Sequence, residues 1–238
     1  MSLAGKTVVI IGGSSGIGFA TAKAVLGEGG AVLIVGRSEA KLRDAKAQLG
    51  GKLRTAALDA TSEPGVKRFF EQMGAFDHLV TTASGFASGP VRMLETATAR
   101  SFFESKFWSQ YYAAKYGAGH IRQGGSITFF AGIASRKPFP GLAVAAAIDG
   151  AIESLARTLA VELAPVRVNV VSPGLVATPV YDAMPEVERN ALFQSYAAKL
   201  PVKRIGQPED IAATVLYVMQ NTYTTGTIVD VDGGLMGV

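Results

Sequence analysis

Along the chain, blocks of consecutive apolar residues alternate with longer stretches in which apolar positions return every three or four residues. The first block, Thr7–Ile11, reads as a buried strand, and Phe19–Leu26 has helical spacing. Further strands are predicted at Ala31–Gly36, Leu53–Leu58, Asp77–Thr82, Gly125–Phe130, Val166–Val171 and Thr227–Val231. Between them, helices are predicted at Glu39–Leu49, Val66–Met73, Thr96–Gly117, Leu142–Leu163, Glu186–Leu200 and Pro208–Gln220. Pro165 stops the Ala-rich Leu142–Leu163 helix, because proline has no N–H to donate and its ring clashes with the preceding turn. No linker or change of composition divides the chain. The expectation is therefore one doubly wound α/β domain of the Rossmann type over residues 1–238. Its parallel sheet is expected to have about seven strands, with helices on both faces. Segment 174–207 stands out as a longer excursion. In such sheets ligands lie beyond the carboxyl ends of the strands, so the residues just after each strand are the ones to read for chemistry.

Composition narrows the chemistry. At 238 residues, with 48% hydrophobic and 18% charged residues, the chain can bury a large core and is not disordered. The net charge of +4 is spread along the sequence, so no nucleic-acid footprint is expected. The absence of cysteine removes disulfides, thiolate catalysis and cysteine–zinc sites, and two isolated histidines, His78 and His120, argue against a metal site. No apolar run reaches membrane-spanning length and the first residues lack a signal-peptide layout, so no membrane partner and a cytoplasmic location are expected.

Between the first strand and the first helix lies a turn with glycines at 12, 13, 16 and 18. Glycine allows a sharp strand-to-helix turn and a close approach of ligand to backbone. The helix start then offers free N–H groups and a positive dipole end, which suit a pyrophosphate. The second strand ends in Gly36-Arg37-Ser38. A carboxylate there would hold a ribose diol and repel a 2′-phosphate; glycine removes it, and Arg37 offers a planar fork matched to phosphate. Ser14, Ser15 and Ser38 add hydroxyl donors. The combination favours NADP(H) over NAD(H), the competing reading being that Arg37 is only a solvated charge at a helix entrance.

The turn spacing, Gly12-x-x-x-Gly16-x-Gly18, resembles the cofactor turn of the short-chain dehydrogenase/reductase family, with Ile11 where that family usually has threonine. Gly12, Ser14, Ser15, Gly16, Ile17 and Gly18 are then cofactor-binding, with Arg37 and Ser38. The resemblance assigns Asp59, beside Ala60, to the adenine amino group, although Asp and Thr also serve as helix caps. Ala83, Ser84 and Gly85 stand where the family shows the end of Asn-Asn-Ala-Gly, and Thr81 is the expected substitute for the asparagine that ties the central strands. Pro173, Gly174, Val176 and Thr178 fall in the segment beneath the nicotinamide, where the Val176 backbone and the Thr178 hydroxyl would hold the carboxamide. Arg204–Ile211, Thr225-Gly226 and Val231–Gly234 also match, so the resemblance spans essentially the whole chain.

The family's chemistry is hydride transfer to a carbonyl. It uses a tyrosine acid/base, a lysine four residues later, a serine that holds the substrate oxygen and an asparagine that anchors a water relay. Registered on that pattern, the tyrosine falls on Ala145, the lysine on Asp149, the serine on Gly132 and the asparagine on Lys106, or on Ser105 if the register slips by one. No tyrosine lies between Gly117 and Tyr181. None of the usual four is expected to be present. Lys106 and Asp149 instead fall on adjacent long helices at the crevice, and an ion pair or a water-bridged contact between them is predicted, because either charge left half-buried and alone is costly. That pair is either a non-standard proton source or a packing replacement. Ser135, Ser84 and Tyr181 are alternative donors, while Tyr111 and Tyr112 read as packing or interface residues. Two functions follow. One is an NADP(H)-dependent oxidoreductase acting on a small apolar carbonyl, imine or enone; the other is an inactive NADP(H)-binding sensor or partner subunit. The excursion, with Tyr181, Met184, Phe193 and Tyr196, is expected to cover the substrate. The resemblance also implies a homodimer or homotetramer through the two long helices.

Overall fold

The computed structural model describes residues 2–238. Seven parallel strands form one sheet: β1 Thr7–Ile11, β2 Ala31–Gly36, β3 Leu53–Ala57, β4 Phe76–Thr81, β5 Ile121–Phe130, β6 Arg167–Pro173 and β7 Ile228–Val231. Their order across the sheet is β3-β2-β1-β4-β5-β6-β7, so the winding direction reverses between β1 and β4. That reversal opens the crevice in which such sheets take their ligands.

The helices are α1 Gly16–Gly27, α2 Glu39–Leu49, α3 Glu63–Glu71, α4 Thr96–Phe103, α5 Ser109–Gly117, α6 Ala143–Glu162, α7 Glu186–Lys199 and α8 Pro208–Gln220. Alternation along the strands explains how both faces are covered. Val8 and Ile10 of β1 point into one apolar cluster with Ala22 and Val25 of α1 and Val215 of α8. Val9 and Ile11 point into the other, with Phe70 of α3, Ala113 of α5 and Ile148 and Ile152 of α6. Successive side chains of a strand leave on opposite faces, so an all-apolar strand is what two covered faces require.

Three of the departures from the periodicity bear on the site. Helix α1 begins at Gly16, so the last two turn glycines lie inside its first turn. Strand β5 begins at Ile121, four residues early; its register against β4 shifts between Phe76↔Ile121 and His78↔Ser126, and Gly124 and Gly125 sit inside this irregularity. The long helix over Thr96–Gly117 is not continuous: Glu104–Trp108 forms a single π turn between α4 and α5. Such turns insert one extra residue and recur at functional sites. Among the described residues, no helix is long and apolar enough to cross a membrane.

Candidate functional site

The β1–α1 turn is shaped by space as much as by torsion. Gly12 has φ +89°, and a Cβ there would lie 2.4 Å from the Ala83 nitrogen. A Cβ on Gly18 would lie 2.3 Å from the Gly12 carbonyl oxygen. The two glycines thus let the β1 turn, the α1 start and the end of β4 close on one another. Ser15 caps α1 without a side-chain hydrogen bond, which leaves the first N–H groups of the helix to an incoming anion.

These elements enclose a crevice of about 440 Å³ at the carboxyl ends of the strands. Gly12, Ser14, Ser15, Gly16, Ile17, Gly18, Arg37, Ser38, Asp59, Ala60, Ala83, Ser84, Gly85 and Thr178 all line it. Pro173, Gly174 and Val176 do not. Val176 is buried and pairs with Gly206 in an isolated parallel bridge, and a Cβ on Gly174 would strike Asp232 at 2.8 Å. These residues shape the turn below the crevice rather than its wall. Ser38 and Ser84 line the crevice with hydroxyls already engaged: the Ser38 oxygen accepts from the Lys41 N–H as the α2 cap, and Ser84 donates to the Gly85 carbonyl. One Asp59 oxygen accepts from both the N–H and the hydroxyl of Thr61, at 3.0 and 2.8 Å. The Thr61 backbone bond is the main reason its carboxyl is held below the usual range, with the Arg37 charge a smaller contribution.

Sequence reasoning missed Lys41, which lines the same end of the crevice as Arg37. The signal was present: Lys41 lies in the first turn of α2, directly after the Gly36-Arg37-Ser38 strand end that the sequence marks for phosphate. A glycine-lined cradle, a free helix start and two cations fit a phosphorylated dinucleotide.

The four positions registered on the family's catalytic pattern lie behind the floor of this crevice. Ser105 and Phe130 line it, whereas Lys106, Gly132, Ala145 and Asp149 do not. Lys106 Nζ donates to Asp149 Oδ1 at 2.5 Å, with side-chain exposures of 13% and 3%. Burial pushes the Asp149 carboxyl above its ordinary range, and the Lys106 charge pulls in the opposite direction. Asp149 Oδ2 lies 2.8 Å from where a Cβ on residue 132 would stand. The backbone at Gly132 is extended (φ −169°, ψ 161°), so any residue fits its torsions, and only the carboxylate excludes a side chain. Ala145, buried one turn before Asp149, presents only a methyl group. One turn further along α6, Glu153 accepts from Ser135 Oγ at 2.6 Å and pairs with Arg136 at 3.2 Å, so Ser135 is already committed. Tyr181 packs edge-on against Phe193, and burial raises its hydroxyl pKa. Phe107, Trp108, Tyr111 and Tyr112 form one aromatic group on the α5 side. Among the described residues there is no cluster of metal-ligating side chains.

A parallel sheet whose switch point opens into a glycine-lined crevice defines a dinucleotide-binding α/β protein. Comparison with known proteins gives the family. A family model described as Enoyl-(Acyl carrier protein) reductase matches residues 12–236. The Short-chain dehydrogenase/reductase ATR9 of Stachybotrys chlorohalonatus is 35% identical, with 98% of each chain covered. The crystal structure of a small-chain dehydrogenase in complex with NADPH superimposes with a TM-score of 0.85 at 39% identity, covering 98% of this chain and 99% of that one. An NADPH-bound short chain oxidoreductase from Pseudomonas aeruginosa PAO1, described as containing an atypical catalytic center, superimposes with a TM-score of 0.91 at 27% identity, covering 98% of both chains. The chain belongs to the short-chain dehydrogenase/reductase family of oxidoreductases.

Proposed function

We propose that this protein is an NADP(H)-dependent oxidoreductase in which the Lys106–Asp149 pair replaces the family's usual proton machinery. The observation that carries this reading is the 2.5 Å contact between the two groups, seated against a glycine that leaves space for the carboxylate. Arg37 and Lys41 would hold the 2′-phosphate, the start of α1 the pyrophosphate and Asp59 the adenine, since all of them line the crevice. Gly85 and Thr178 flank the inner end of the crevice. The reduced nicotinamide supplies a hydride to the electrophilic carbon of the substrate. The chain must supply a proton to the atom that gains the electrons, and Lys106 gives one from its ammonium while the Asp149 carboxylate holds that group in place and charged. The amine regains its proton from solvent, so a carbonyl leaves as an alcohol.

The substrate reading is a small apolar carbonyl, imine or enone. Apolar side chains of segment 174–207, Tyr181, Met184, Phe193 and Tyr196, would cover the substrate. Two relatives in the NADPH-bound state support the cofactor, and the atypical catalytic center described for one supports chemistry without the usual residues. Association as a homodimer or homotetramer through α5 and α6 belongs to the same reading.

The deciding experiment titrates the protein with NADPH and NADH, then assays a carbonyl, imine and enone panel with wild type, Lys106→Met and Asp149→Asn. Tighter NADPH binding, with turnover that collapses in both variants, is the expected result. Equal affinity for the two cofactors removes the role of Arg37, and undiminished turnover in both variants removes the pair from catalysis. A second reading, an NADP(H)-binding sensor or partner subunit, is favoured by the position of Lys106 and Asp149 behind the crevice floor. It predicts tight NADPH binding without turnover on any member of the panel.

A further inference from the structure

The π turn that carries Lys106 has its own explanation in the residues that follow it. In a π turn, bonding shifts from the fourth to the fifth residue onward, as in the Ser109 N–H that donates to the Glu104 carbonyl. Carbonyls within the turn then lack their ordinary helical donors. Two buried side chains supply replacements: Ser109 Oγ donates to the Ser105 carbonyl at 2.7 Å, and Gln110 Nε2 donates to the Lys106 carbonyl at 2.9 Å.

Gln110 does more than repair the turn. Its side chain is buried, and its amide also brackets the end of β5, with Nε2 donating to the Phe130 carbonyl and Oε1 accepting from the Phe130 N–H, both at 2.9 Å. The same Oε1 accepts from Thr81 Oγ1 at 2.7 Å, at the end of β4. A primary amide has two N–H donors and two acceptor lone pairs, and here all four are used. The opposite amide orientation would set donors against donors and oxygen against two carbonyls, so the network fixes which atom is which.

Gln110 therefore joins the two walls of one slot. On one side is the π turn with Lys106; on the other is Phe130, two residues before Gly132. The Asp149 carboxylate lies between them, with Oδ1 on Lys106 and Oδ2 against the empty Cβ position of Gly132. We infer that Gln110 is a positioning residue that sets the width of this slot and so holds Lys106 in contact with Asp149. Its value to the reaction rests on the proton role proposed above for the pair, but its effect on Asp149 does not depend on turnover.

That independence gives the test. The charged groups facing Asp149 are Lys106 from the π turn, Arg136 from the segment after β5, and Glu153 on α6 itself. The Asp149 carboxyl is followed by carbon-13 NMR across pH and assigned by its loss in Asp149→Asn. Lys106→Met marks the midpoint reached when the ammonium is absent. Gln110→Met, similar in shape but without hydrogen bonds, is expected to raise the midpoint toward the Lys106→Met value by about half a pH unit or more. Gln110→Glu, which keeps the acceptor and loses the donor, and Thr81→Val, which removes one donor to Oε1, are expected to move it the same way by less. They also serve if Gln110→Met does not fold. NADPH affinity stays at the wild-type value in the folded variants.

A wild-type midpoint in the Gln110 variants, beside a raised one in Lys106→Met, overturns the inference. So does a midpoint that Lys106→Met itself fails to move, since Gln110 then has no contact to maintain. Undiminished turnover in Lys106→Met would instead overturn the proton role of the pair and leave the positioning result standing.

Discussion

The cofactor crevice and the slot behind its floor are built from different materials. The crevice relies on backbone: a turn closed by Gly12 and Gly18, the uncapped start of α1, and two cations at its outer end. The slot relies on side chains that touch one another: Lys106 on Asp149, Asp149 against Gly132, and Gln110 across to Phe130. A site made of main-chain donors tolerates change around it so long as its glycines stay, because most of its donors do not depend on side chains. In a site made of mutual side-chain contacts, one partner cannot change without altering the others. That difference sets how each region is expected to respond to substitution.

The sharpest way to break the comparison is Lys106→Met. It is expected to lower turnover by about 100- to 10,000-fold, the range of a lost general acid, while NADPH affinity measured by fluorescence titration stays unchanged. It also strands a buried carboxylate, a loss of about 3–5 kcal/mol in denaturant unfolding. The double variant Lys106→Met/Asp149→Leu is expected to recover most of that stability and none of the turnover, which separates holding the slot together from using it.

Arg37→Ala addresses the other region. Removing a charge-assisted bond to phosphate is expected to weaken NADPH binding by about 10- to 100-fold and leave NADH binding nearly unchanged. Lys41→Ala follows in the same direction by about threefold, as an exposed charge should.

The scaffold under both regions offers a control through pH. His78 of β4 meets Ser126 at 2.9 Å, and burial lowers its pKa to about 4. The unfolded chain takes up a proton near 6.5 and the folded chain only near 4, so stability is full above the unfolded value and declines as pH falls through that window. The loss is about 3 kcal/mol. Thermal unfolding between pH 7 and 4 is expected to show it, and His78→Gln to flatten it. Cofactor binding and turnover should decline together there, since the sheet serves both.

The smallest change is Gly132→Ala. Its methyl must push the Asp149 carboxylate from its seat, at about 1–3 kcal/mol, with turnover reduced and NADPH binding kept.

Much of the sheet is legible in the sequence because strands buried on both faces are written as unbroken apolar blocks. Thr7–Ile11 and Ala31–Gly36 have the observed bounds for that reason. The crevice is legible too, since Gly12, Gly18 and Arg37 act where they stand. The π turn is not. Periodicity reads Thr96–Gly117 as one helix, because the signal of the turn lies in two side chains that hydrogen-bond backward, Ser109 and Gln110, and not in any apolar rhythm. The π turn also spans Ser105 and Lys106, the two residues between which the motif register leaves a choice. Both residues prove to matter in different places: Ser105 lines the crevice and accepts from the Gly85 N–H, while Lys106 enters the slot. Of Pro173, Gly174, Val176 and Thr178, all expected at the cofactor, only Thr178 reaches the crevice wall, while Val176 is buried in its bridge to Gly206.

The vacancy at 132 gives change at this site a direction. While an aspartate occupies 149 and leans on a lysine, a hydroxymethyl group cannot enter opposite it without dislodging that pair. Once the acid is gone, position 132 is open to any small residue. A serine at 132 is thus reachable from here only in a particular sequence of steps, beginning at 149. An engineer who introduces side chains at 132 should expect the same substitutions to fail or succeed according to the order in which they are made.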